Sequence, residues 1–128
     1  MLDKLELQPI TVLDDYQATM LNEKEVLLTT KVTEKSLNPY GMAHGGLLFT
    51  LADSVAGLTT VAGGSYSVTL QSNIHYMKAA KLGDTLSVTG SCTHDGSRTK
   101  VVEVKIENQD KKLLASASFT MFVTGKVE

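Results

Sequence analysis

Leu47, Leu48, Leu51, Val55, Leu58 and Ala62 recur at spacings of three and four, the repeat of a single helix face. Ala52 and Ala56 widen that stripe until most of the circumference is apolar. A helix of this kind must be covered on most sides, which constrains the fold more than any other feature of the chain. Loop signals precede it (Asn38-Pro39, then Gly45–Gly46), and Gly63–Gly64 ends it.

The covering layer is predicted to be β. Ahead of the helix, Glu25–Thr33 is rich in β-branched residues and reads as a strand. Behind it, Tyr66, Val68, Leu70, Ile74 and Tyr76 alternate with Thr69, Gln71, Asn73 and His75, and the two sets are predicted on opposite faces of one strand. Leu86, Val88 and Cys92 mark a further strand, and Val102, Val104 and Ile106 another. The last is marked by Leu113, Ala115, Ala117, Phe119 and Met121. Tight turns at His94–Ser97 and Asn108–Lys111 join neighbours, so the sheet is expected to be antiparallel. Residues 1–22, with Pro9 and Asp14–Asp15, read as an irregular or short-strand lead-in to a single domain spanning residues 1–128. The expected class is α+β: one long helix against about five strands. A flat sheet covers only one side, so a curved sheet wrapped around the helix is expected, with a second subunit on the remaining side.

A chain of 128 residues can build such a core without staples. The formal net charge of −2 gives no support to nucleic acid or an anionic membrane as partner. The lone Cys92 has no intramolecular disulfide partner and lies in a strand-like run, as a small core residue would. No Cys/His spacing suggests a structural zinc site. The opening residues, acidic and interrupted by Pro9, do not resemble a secretory signal, and no window was expected to pass for a membrane span of about 20 apolar residues. The expected setting is a reducing cytoplasm.

Asp53 interrupts the apolar helix and is the only Asp or Glu between Glu34 and Asp84. Burying it without a partner is costly, so it either faces water or has company that justifies it. At 100° per residue it shares a face with Phe49, Ala56, Gly57 and Thr60, three of them small enough to admit a ligand or another backbone. At the helix start, backbone N–H groups of Gly45 or Gly46 lack intrahelical acceptors and point at whatever arrives. Asp53 follows Gly45 by about 12 Å of helical rise, at the far end of a short groove. A carboxylate, backbone donors and the Asn38 amide together suit acyl transfer to water.

Asn38-x-x-Gly41-x-x-His44-Gly45-Gly46, with Asp53 nine residues after the histidine, resembles the signature of PaaI-like hotdog-fold thioesterases. Ser72–Leu86 is similar to the strand and turn that follow in that family, and the resemblance runs from about Glu25 to Phe122. It implies a curved antiparallel sheet around one long helix, and a homodimer paired sheet edge to edge, often as a dimer of dimers. It implies acyl-CoA thioester hydrolysis with no metal or redox cofactor, coenzyme A being part of the substrate.

By that resemblance Asp53 is the catalytic carboxylate, as base or nucleophile, and Gly45 N–H polarises the thioester carbonyl. Asn38 assists, His44 positions the loop or contacts the carbonyl region, and Thr69 helps orient water. The site lies between subunits, with Asp53 opposite the partner subunit's Asn38 and Gly45. Gly46, Phe49, Gly57, Asn73, Lys81 and Arg98 are the candidate substrate contacts. Lys78 and Lys100 are the further cations available to coenzyme A phosphates. Each role has a plainer alternative: a turn for Asn38, a loop function for His44, an ordinary strand residue for Thr69, a simple helix start for the glycines. The competing function is a non-hydrolytic acyl-CoA-binding or regulatory hotdog domain. A hydratase ranks behind both, because its acid–base pair is a different one.

Overall fold

The computed structural model describes Leu7 and residues 9–128, so the expectation for residues 1–6 and 8 lies outside the described residues. Six strands and one long helix follow in the order β1 (Tyr16–Asn22), β2 (Glu25–Lys31), α1 (Gly45–Ala62), β3 (Ser65–Tyr76), β4 (Thr85–Asp95), β5 (Thr99–Glu107) and β6 (Leu113–Lys126). The strands form a single sheet in the order β1-β2-β4-β5-β6-β3, antiparallel at every pairing. Helix α1 contacts all six strands, as a curved sheet wrapped around it requires. The fold is the hotdog fold.

The helix buries Leu47, Leu48, Leu51, Ala52, Val55 and Ala56 against Val88, Val104 and Phe119 of the sheet. The helix comes close over Gly90 of β4, where a Cβ would overlap Thr59 Oγ1 and come within 2.7 Å of Val55 Cγ1. By length and composition alone this helix is also apolar enough to cross a membrane, contrary to the sequence expectation. Its packing here is that of a core helix.

The lead-in takes the short-strand alternative as β1, whose seven residues are all exposed and therefore carry no burial pattern to read. Three other details depart from expectation. A bulge at Leu70 breaks the pairing of β3 with β6, since Thr69 opposes Met121 and Gln71 opposes Thr120. An extra residue reverses which side chains face the core. Ser67 and Thr69 face the helix before the bulge, Ile74 and Tyr76 after it, and Tyr66, Val68 and Leu70 are exposed rather than covered. A second irregularity, at the start of β6, buries Leu114 in place of the expected Leu113. Cys92 is half-buried rather than fully in the core, and burial, with Asp95 nearby, pushes its thiol above the usual range.

Candidate active site

Helix α1 starts with two consecutive glycines, the residues with the most conformational freedom to lose. His44 is the N-cap, and its Nδ1 accepts the Gly46 N–H at 2.8 Å. Nδ1 therefore carries no proton, and a neutral ring has its N–H at Nε2. Of the two expected backbone donors, Gly46 is thus already engaged. The Gly45 N–H has no acceptor among the described residues, and the first turn holds no acidic side chain to offset the positive end of the helix dipole. Through this bond His44 caps the helix of its own chain.

Tyr76, which sequence reasoning did not single out, comes from the end of β3 and donates its hydroxyl to the Gly45 carbonyl at 3.1 Å. Burial raises its phenol further above neutrality, so the group remains a donor. Its strand context looked merely apolar, and only the Leu70 bulge turns it toward the helix.

Asn38 spends its side-chain oxygen locally, accepting from Tyr40 N–H at 2.9 Å and Met42 N–H at 3.1 Å. Its backbone donates to Met42 O at 2.7 Å, and Gly41 takes the left-handed φ of +82° that this turn needs. The oxygen serves the turn, while the side-chain NH₂ has no bond among the described residues. Asn38, Tyr40, Met42, Gly45, Tyr76 and Lys78 line one groove of about 360 Å³ at the helix start.

Two turns along, Thr69 Oγ1 donates to Asp53 Oδ1 at 2.7 Å. Asp53 is half-buried, and its other oxygen has no partner among the described residues. Thr60 Oγ1 gives its one proton to Gly57 O at 2.8 Å, so Ser67 must be the donor in the 2.6 Å contact between the two hydroxyls. Gly57 opens onto free space, with nothing within 4 Å of where a Cβ would stand. Phe49 instead turns into the core margin, its ring 5.8 Å from that of Phe119.

Asp53 does not line the groove that holds Asn38 and Gly45. Asn73 and His75 are exposed on the outer face of the sheet. Nor do the cations converge. Lys78 lines the groove, and Lys81 adjoins it through a bridge to Met42. Arg98 is exposed in the β4–β5 turn, its carbonyl accepting Val123 N–H at 2.8 Å at the other end of the helix. Lys100 is buried and paired with Asp95, whose carboxyl it holds below the usual range, so it is not a free phosphate ligand.

The thioesterase superfamily matches this chain over residues 40–115. Acyl-coenzyme A thioesterase PaaI of Escherichia coli is 33% identical over 95 residues, covering 74% of this chain and 68% of that protein. A hypothetical thioesterase of Streptococcus pneumoniae, solved with coenzyme A, superposes with a TM-score of 0.93 at 44% identity, over 97% of this chain and 100% of the other. Structures of that protein also exist with a single threonine, and with a single aspartate, replaced by alanine. A Streptococcus mutans protein bound to acetyl CoA gives a TM-score of 0.88 at 49% identity, covering 97% and 100%. This chain therefore belongs to the thioesterase superfamily, as a hotdog-fold relative of the PaaI-like acyl-CoA thioesterases.

Proposed function

We propose that the protein hydrolyses acyl-CoA thioesters to the free acid and coenzyme A. The observation that carries this reading is the half-buried Asp53 carboxylate, held at one oxygen by Thr69 and free at the other. As a base, that free oxygen takes a proton from water while the oxygen of water bonds to the thioester carbon. The carbonyl oxygen gains the electron pair and is stabilised by the Gly45 N–H at the positive end of the helix. Collapse of the tetrahedral species expels the coenzyme A thiolate, which is then protonated. As a nucleophile, Asp53 would attack the carbon itself and expel the coenzyme A thiolate, leaving an anhydride that water opens to the free acid and the regenerated carboxylate.

The site is completed between two subunits, with Asp53 facing the partner subunit's Asn38 and Gly45. Two features support this. Asp53 lies outside its own chain's groove. Strand β3, which carries Thr69, is a sheet edge without Asp, Glu, Lys or Arg, and leaves Val68 and Leu70 exposed beside it. Pairing β3 edges gives a homodimer, and two such dimers form the tetramer. Thiol release over aromatic, short, medium and long acyl-CoAs tests the reading. Turnover of at least one class is expected. Binding of acyl-CoA with no thiol released by any of them would instead mark a non-hydrolytic binding domain.

A further inference from the structure

The donor proposed to polarise the thioester sits on the least restrained pair of residues in the helix, Gly45–Gly46. A backbone N–H stabilises a developing oxyanion well only if its direction is fixed beforehand. The peptide joining these glycines is held at both ends: His44 Nδ1 takes its N–H at 2.8 Å, and the Tyr76 hydroxyl takes its C=O at 3.1 Å. The preceding peptide is held at its oxygen, where His44 O accepts Leu47 N–H at 2.9 Å. Only the Gly45 N–H of this turn has no bond among the described residues.

Tyr76 is itself firmly mounted. The N–H groups of Met77 and Lys78, directly after it, both bond to Leu114 O, at 2.8 and 3.1 Å. The hydroxyl end of its ring lies 3.7 Å from where a Gly45 Cβ would stand, in ordinary contact with the glycine it restrains. We propose that Tyr76 is a positioning residue for thioester hydrolysis, its hydroxyl holding the Gly45–Gly46 peptide so that the Gly45 N–H stays aimed at the substrate carbonyl. This rests on the reading of Gly45 as the polarising donor, and the test separates the two.

The probe is acetyl-CoA labelled with ¹³C at the carbonyl, bound to the full-length Asp53→Asn protein and read by infrared difference spectroscopy. With Tyr76 present, the carbonyl band is expected below its position in free acetyl-CoA. Adding Tyr76→Phe, which keeps the ring and removes only the hydroxyl, is expected to return the band toward the free position. In the Asp53 protein, Tyr76→Phe is expected to lower kcat about tenfold with KM within about twofold, the pattern of an interaction made in the transition state. A shifted band that Tyr76→Phe leaves in place, with kcat unchanged, overturns the role of Tyr76 alone. An unshifted band in the Tyr76 protein overturns the Gly45 assignment and this proposal with it. A loss of melting temperature accompanied by equal losses in kcat and in coenzyme A binding would make Tyr76 a structural residue only, and would also overturn it.

Discussion

Thr69 Oγ1 donates to Asp53 Oδ1 across 2.7 Å, tying an edge strand to the middle of the core helix. The bond exists because the Leu70 bulge presents Thr69 to the helix while Gln71 pairs with Thr120 in the shifted register. A hydrogen bond to a charged group contributes about 1.5–3 kcal/mol, so Thr69→Val is expected to lower kcat by about 10- to 100-fold. Thr69→Ser keeps the hydroxyl and should recover most of the loss. Steady-state thiol release by the two variants checks this, and equal rates for both would contradict an orienting role.

The two glycines at the helix start should respond differently to alanine. At Gly46 a Cβ would meet His44 Nδ1 at 2.9 Å and displace the cap, which costs about 1 kcal/mol. At Gly45 it would rest 3.7 Å from the Tyr76 ring, an ordinary contact. Thermal melts should therefore show Gly46→Ala destabilised and Gly45→Ala close to wild type. If substrate passes over Gly45, Gly45→Ala should nonetheless raise KM or lower kcat.

The helix was legible in the sequence because its stripe of Leu47, Leu51, Val55 and Leu58 is long and unbroken, and its covering sheet followed from that. Strand β1 was indistinct because every one of its residues is exposed. In β3 the alternation was real, but the bulge reversed its meaning, leaving Val68 outside and turning Tyr76 to the helix. Asp53 stood out by its isolation among apolar residues, whereas its pairing with Thr69 rested on family resemblance until the register was known. Nothing local in the sequence distinguishes a turn-building Asn38 from one that meets substrate. That distinction lies in which acceptors its neighbours need.

Acid stability should depend on Asp84. The Lys81 N–H at 2.9 Å, then Gln109 Nε2 at 3.0 Å, hold its carboxyl below the usual range. A carboxylate whose folded pKa is depressed stabilises the fold above its unfolded value, about 3.9, and loses that contribution as pH falls through the folded value. Because the group is exposed to screening, the effect is small. Urea midpoints measured downward from pH 5 should fall for the wild type and fall less steeply for Asp84→Asn.

Subunit complementation tests the composite site. Asp53→Ala and Asn38→Ala proteins should each be inactive as homodimers. Mixed and refolded together at equal amounts, half the dimers are heterodimers, each with one intact site. About a quarter of wild-type activity is then expected from C2 pairing. Activity no greater than the sum of the separate variants would place Asp53 and Asn38 in the same subunit's site.

The most direct measurement is the thiol-release rate of Asp53→Asn on the acyl-CoA that the wild type turns over fastest, with coenzyme A binding and oligomeric state measured alongside. Removing a general base costs about 10²–10⁴-fold, so kcat should fall by that factor while binding and assembly persist. An Asp53→Asn protein that releases thiol at the wild-type rate would contradict a catalytic role for this carboxylate.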